Sequence, residues 1–154
     1  MDLGDLISPD DVIPAIRSSS KRQLLQDLAE RASAKTGISG RQIFDTLLQR
    51  ERLGSTGVGN GIAIPHGKLA ELKHITGVFA RLDKPIDFEA LDDQPVDIVF
   101  LLLAPEGAGA DHLKALARIA RVMREPETIE KLRNSADAAA IYALLTETAA
   151  SNAA

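Results

Sequence analysis

Between Gly54 and Gly67 the chain reads Gly-Ser-Thr-Gly-Val-Gly-Asn-Gly-Ile-Ala-Ile-Pro-His-Gly. Five of its 11 glycines fall in these 14 residues, and neither a helix nor a long strand survives that density. The segment therefore divides the chain: helical patterns precede it, and strand-like runs and further helices follow. Glycine also lets backbone amides approach a ligand closely and point together, as they do in loops that cradle phosphate. Gly57, Gly59, Asn60 and Gly61 are candidates for such a cradle, although Asn60 and Gly61 could equally shape the loop without touching a ligand. His66, fixed between Pro65 and Gly67 with little steric cover, reads as an imidazole displayed for chemistry.

The remainder is arranged around this segment without an internal repeat or a splitting linker. Val12-Ile13-Pro14-Ala15-Ile16 reads as a strand that Pro14 confines to an edge or a bulge. Ser20-Lys21-Arg22-Gln23 has the form of a capping box. Leu24, Leu25, Leu28, Ala29 and Ala32 then repeat at helical spacing until Gly37 stops the helix. Ser39 to Gln42 repeats the signal and opens a second helix, with a buried stripe of Ile43, Phe44, Leu47 and Leu48 and with Arg50 and Arg52 in its last turn. After the glycines, Ile75–Leu82 and Val96–Leu103 read as two strands joined by a polar connection containing Pro85 and Pro95. A third helix is predicted from about Asp111 to Arg124, with Leu113, Leu116, Ala117, Ala120 and Met123 on its apolar face. Pro126 marks the start of a fourth helix. Ser135 and Asp137 begin a fifth, which is expected to run to about Thr148.

Helices interleaved with strands predict an α/β fold, a central mixed sheet sandwiched by helices. At 154 residues, two independent cores would be cramped, so a single domain is expected. That domain is placed at residues 1–148, with 149–154 as a frayed tail.

Charge and composition exclude several classes. Eighteen Lys and Arg against 22 Asp and Glu give a net charge of −4, and 3% of residues are aromatic. The chain has neither the field nor the stacking platforms of a nucleic-acid binder. Cysteine is absent, which removes disulfides, thiolate metal sites and a cysteine nucleophile. The longest apolar stretch, Val96–Ala104, is interrupted by Asp97 and suits a buried strand, so no membrane insertion is expected. Together these point to a soluble, cytoplasmic protein.

Known phosphate motifs fit poorly. Gly57-Val58-Gly59-Asn60-Gly61 lacks the third glycine spacing of a dinucleotide fingerprint, and Gly67-Lys68 is followed by Leu69 where a P-loop needs Ser or Thr. No Gly-x-Ser-x-Gly elbow is present. What remains is nucleophilic use of His66, since neutral imidazole attacks phosphorus well and leaves well when protonated.

At this point the residues match a family. Arg50-Glu51-Arg52-Leu53 followed by Gly54 to Lys68 resembles the active-site region of phosphotransferase enzyme IIA proteins, most closely the nitrogen-regulatory branch. The mannitol- and fructose-specific IIA domains are more distantly similar. Gln94-Pro95-Val96-Asp97 and Asp111-His112-Leu113 look like that branch too, and Val58 stands where isoleucine is common. The resemblance covers essentially the whole chain. It implies that His66 is phosphorylated on Nε2, that His112 helps to position the phosphoryl group, and that Arg50, in preference to Arg52, stabilises its charge. It further implies a donor of HPr type charged from phosphoenolpyruvate through enzyme I. The regulatory targets implied are proteins such as potassium transporters or sensor kinases. No cofactor or metal is implied.

Three alternatives stand beside this reading. One is a binding module that keeps the fold without being phosphorylated, and another is a sugar-specific IIA component. The third, a metal enzyme using His66, His74 and His112, lacks any His-x-x-x-His or His-Glu-x-x-His spacing. His74, beside Lys73, reads as an ordinary exposed residue. Lys68 is either a phosphate neighbour or a solvated charge.

Overall fold

The computed structural model describes residues 2–153, with side chains as far as residue 147. Of the tail predicted to fray, 149–154, the backbone of residues 149–153 continues the last helix, and residue 154 lies outside the described residues.

Five helices are present: α1 (Lys21–Thr36), α2 (Gly40–Arg52), α3 (Ala110–Met123), α4 (Pro126–Arg133) and α5 (Ala138–Ala153). Their starts follow local chemistry. Ser20 Oγ accepts the amide of Gln23 at 3.1 Å and Ser39 Oγ that of Gln42 at 3.5 Å, each satisfying one orphan donor of a first turn. The box at α1 is half-formed, because the Gln23 side chain donates to Asp27 Oδ1 instead of reaching back to the cap. Gly37 ends α1 at φ +79°, a left-handed conformation that favours glycine. Asp137 caps α5, accepting the Ala140 amide at 3.0 Å.

The strands are β1 (Val12–Ile16), β2 (Gly57–Gly59), β3 (Ile62–Ala63), β4 (His66–Leu69), β5 (Thr76–Ile86) and β6 (Val96–Pro105). They form one mixed sheet in the order β1-β5-β6-β3-β2, and β4 also pairs with β6. β5 runs antiparallel to β6 along its length, so β3 and β4 share the opposite edge. There Ile62 and Ala63 face Ile98 and Val99, while His66 to Leu69 face Leu102 to Pro105, all parallel. The glycine-rich segment thus breaks into three short strands. β1 is an edge strand, and its register shifts between Ile13 and Ile16, so Pro14 has both of the accommodations expected for it.

β6 is the centre of the core. Val99, Leu101 and Leu103 belong to one apolar cluster, with Leu24, Leu28, Ile43 and Leu47 of α1 and α2. Ile98, Phe100 and Leu102 belong to the other, with Ile119 of α3, Leu132 of α4 and Ile141 and Leu145 of α5. This is the period-two alternation of a strand buried on both faces. A single α/β domain with helices on each side of a mixed sheet results.

Two details differ from the sequence reading. β5 continues past Leu82 through Pro85 to Ile86, with a register shift between Arg81 and Ile86 that accommodates a residue unable to donate to the ladder. The buried face of α3 is His112, Ala115, Ile119, Val122 and Met123, whereas Leu113 is 65% exposed and Ala117 is also exposed. The stripe is rotated from the predicted one: Ala115, Ile119, Val122 and Met123 pack into the core, and His112 is buried on the same side.

Candidate functional site

His66 opens β4 immediately after Pro65, whose carbonyl accepts the Leu102 amide at 2.9 Å. The histidine is therefore held by the sheet itself, at the first position of a short strand, and not on a free loop. Its Nδ1 lies 2.8 Å from the Ile64 carbonyl oxygen. A carbonyl can only accept, so Nδ1 carries the proton and the lone pair of the neutral ring sits on Nε2. Arg50 Nε, from the last turn of α2, donates to that Nε2 at 3.3 Å, and its Nη1 donates to the Gly54 carbonyl at 2.9 Å. Arg52, two residues on, is exposed.

From the other face of the sheet comes His112, the third residue of α3. The two imidazoles are 5.7 Å apart between centroids and tilted by 53°. His112 is 8% exposed, and its Nε2 is buried without a hydrogen-bond partner. Leaving such an atom unpaired costs roughly 1–3 kcal/mol, and in folded proteins it needs a reason. The start of α3 adds a further electropositive element: Gly109 precedes it with no side-chain cap on the first-turn amides.

Electrostatics keep both rings neutral. Burial pushes the His66 pKa below its ordinary value; the Arg50 guanidinium lowers it further, while the bond to Ile64 and the carboxylate of Glu51 partly offset this. Burial also lowers that of His112, helped by the charge of Lys68 and by the repulsion that a protonated His66 would exert. At neutral pH the pair is uncharged, largely withdrawn from water and bordered by a guanidinium.

Glu51 is a residue the sequence reading passed over. It is buried and accepts the Thr56 amide at 3.0 Å, the Thr56 hydroxyl, and Lys21 Nζ at 3.0 Å. It thereby ties the end of α2, which carries Arg50, to the start of the glycine segment and to α1. The signal was present: Glu51 follows Ile43 and Leu47 at intervals of four on the apolar stripe of α2, where an unpartnered carboxylate would be costly.

The hairpin glycines stand elsewhere. The Gly57 amide donates to Ser55 Oγ at 3.0 Å and that of Asn60 to Asp92 Oδ2 at 2.9 Å. Gly59, Asn60 and Gly61 all have positive φ and turn β2 into β3. The Gly61 carbonyl accepts the Asp97 amide at 3.0 Å, and Arg133 bonds both the Asn60 carbonyl and Asp97. Asp97 and Leu102, the partner of His66, are five residues apart on β6, about 16 Å at 3.3 Å per residue. The structure brings His66, Arg50 and His112 together and keeps the Gly59-Asn60-Gly61 turn apart from them. His74 is exposed, and among the described residues no three His, Cys, Asp or Glu side chains converge as metal ligands.

The chain is thus a single-domain α/β protein in which two histidines meet at the edge of one mixed sheet, one of them beside a guanidinium. Comparison with known proteins agrees. The family model described as phosphoenolpyruvate-dependent sugar phosphotransferase system, EIIA 2, matches residues 5–148. A nitrogen regulatory protein of Bradyrhizobium diazoefficiens is 61% identical over 145 residues, covering 94% of this chain and 95% of that protein. The nitrogen regulatory protein of Escherichia coli K12 is 38% identical, covering 86% and 82%. The crystal structure of nitrogen regulatory protein IIA-Ntr from Neisseria meningitidis superposes with a TM-score of 0.89 at 34% identity, covering 94% of this chain and 99% of that one. The chain belongs to the EIIA 2 family of the phosphotransferase system, in its nitrogen-regulatory branch. Among the described residues no helix is long and apolar enough to cross a membrane.

Proposed function

We propose that the chain is a histidine phosphocarrier with a regulatory output. His66 accepts a phosphoryl group on Nε2 from a phosphohistidine of an HPr-type carrier, and the phosphorylation state governs binding to target proteins of nitrogen or potassium metabolism. The observation that carries this is the tautomer: with Nδ1–H held by Ile64, the one lone pair of a neutral, half-buried ring points at Arg50.

In the transfer, the bond from phosphorus to the donor imidazole breaks as the bond to His66 Nε2 forms, and the departing ring keeps the electron pair. Nδ1–H of His66 stays on Ile64 throughout. Arg50 Nε occupies the lone pair in the resting site, so it swings off Nε2 onto the incoming phosphoryl oxygens, keeping its charge within the site. His112 Nε2, now unpartnered, supplies a second donor in its Nε2–H tautomer. The uncapped first turn of α3 adds amides and the positive end of its dipole. Little covalent chemistry is asked of these groups; they orient and neutralise.

The regulatory reading is supported by the names of the similar relatives, which are nitrogen regulatory proteins. The fructose-specific EIIABC component of Bacillus subtilis is 30% identical, with the chain covering 23% of its length.

Intact mass after incubation with phosphoenolpyruvate, enzyme I and the HPr-type carrier tests the proposal. One acid-labile phosphoryl group is expected, absent in folded His66→Ala. Arg50→Ala and His112→Ala should each slow transfer by about 10²- to 10³-fold, the usual loss for one donor to a developing charge. Unmodified protein in the presence of charged carrier would instead make the chain an unphosphorylated binding module. Onward transfer to a fructose IIB domain would make it a sugar component.

A further inference from the structure

Helix α3 carries a second feature, on the side away from the core. Lys114, Arg118, Arg121 and Arg124 recur at intervals of four, three and three, and with Ala117 they line one concave surface. Lys114, Ala117, Arg121 and Arg124 are exposed, while Arg118 pairs with Asp2 at 2.9 Å. Among the described residues no carboxylate lies within ion-pair distance of Lys114, Arg121 or Arg124, although Asp111 and Glu125 stand close along the chain. Like charges three and four residues apart oppose helix formation. A chain of net charge −4 nevertheless gathers four of its 18 cationic side chains on this one face.

The shape of the patch selects its occupant. Ten residues separate Lys114 from Arg124, about 15 Å at 1.5 Å per residue. Ala117, between the cations, is small enough to let another backbone approach. Leu113, 65% exposed, heads the stripe beside His112 and offers an apolar anchor. The apolar face of α3 is buried in the domain, so the helix cannot lie in a lipid surface. Four aromatic Phe and one Tyr in the whole chain leave little for nucleobases to stack on.

We infer that the basic face of α3 is a docking surface for an acidic amphipathic helix of a protein partner, laid alongside α3 with its carboxylates over Lys114, Arg121 and Arg124 and an apolar residue against Leu113. The cations of this surface lie outside the residues assigned to transfer, although Leu113 adjoins His112, and its occupancy does not require His66 to be phosphorylated.

The test is an NMR titration of the isotope-labelled full chain with a 16-residue helical peptide carrying Glu along one face and one Leu per two turns. Shift changes are expected along Lys114–Arg124 and Leu113, weakening steeply between 50 and about 300 mM salt as surface charge is screened. Lys114→Glu combined with Arg121→Glu should weaken binding at least tenfold. The neutral pair Lys114→Gln and Arg121→Gln, which removes charge without introducing repulsion, should weaken it to an intermediate degree. Phosphoryl transfer from the HPr-type carrier should stay within about twofold of the parent in both variants, which separates this inference from the phosphocarrier proposal. Shifts mapping elsewhere, or equal affinity in the reversed variant, would overturn it. So would tighter binding of a single-stranded oligonucleotide or of phosphatidylglycerol vesicles. A large loss of transfer would assign the stripe to the phosphoryl donor instead.

Discussion

The chemistry of the site rests on the charge of two imidazoles. Burial is the largest influence on each, and both pKa values lie below the ordinary histidine value of 6.5. In the unfolded chain these groups bind protons at a higher pH than in the folded one. Between 6.5 and the lowered values the unfolded state therefore holds more protons, and stability rises with pH across that window. Their contribution is present above 6.5 and is lost as pH falls through the folded-state pKa. Imidazole C–H resonances should show both rings titrating below 6.5, and acid destabilisation should be shallower in a His112→Gln variant. Phosphoryl acceptance by His66 should fall over the same range, because a protonated Nε2 has no lone pair to give. Arg50 lowers the His66 value after burial does, so Arg50→Gln should move that titration upward without changing the direction for His112. An unmoved His66 would mean that the 3.3 Å contact with Arg50 carries no electrostatic weight.

Elements show what the sequence made legible and what it did not. The caps at Ser20 and Ser39, the stop at Gly37 and the edge position of Pro14 were readable because each depends on one residue's backbone chemistry. The face of α3 was not, because two apolar sets repeat there at helical spacing, Leu113, Leu116, Ala117 and Ala120 on one side and Ala115, Ile119 and Val122 on another. The meeting of His112 with His66 was hidden too, because it is a contact between distant segments. His66 and Arg50 were visible in the motif, but the use of the hairpin glycines was hidden in a neighbour. A Cβ on Gly57 would meet Ala90 Cβ at 2.8 Å and its Cα at 2.9 Å. Gly57→Ala should therefore destabilise by about 1–3 kcal/mol through overpacking against backbone, lowering the melting temperature by roughly 3–10 °C. Gly37→Ala meets nothing within 4 Å and is strained by φ +79° alone, so about 1 kcal/mol is expected. Equal melting temperatures for the two would show that the hairpin relaxes away from Ala90. The Glu51 anchor belongs to the same scale. Glu51→Gln removes the carboxylate 3.0 Å from Lys21, which keeps Glu89 at 3.7 Å and the ring of Phe88, and should cost about 1–3 kcal/mol in thermal unfolding. Transfer should slow as well, because glutamine offers one acceptor oxygen where Glu51 uses two on Thr56, which loosens the turn that presents Arg50.

At the scale of the whole molecule, the site is a meeting of layers. Arg50 arrives from the helices packed on one face of β6, His112 from those on the other, and His66 from a strand on its edge. Neither layer alone makes the pair, and alternate residues of β6 anchor both, so loss of one helical layer exposes half the strand that supports the other. The domain should then unfold as one cooperative unit. Leu47 and Ile119 are fully buried in opposite clusters, and truncating either to alanine should cost about 2–5 kcal/mol. If the layers are coupled as β6 requires, both variants will show one denaturant transition. Far-ultraviolet dichroism and the His66 and His112 resonances will follow it with the same midpoint. If instead α3 could detach first, Ile119→Ala would release His112 into solvent before the sheet melts. Its pKa would climb back towards 6.5, and its resonance would move at a lower denaturant concentration than the dichroism. The separation of those two midpoints measures directly how far the histidine pair depends on both faces of the sheet being closed.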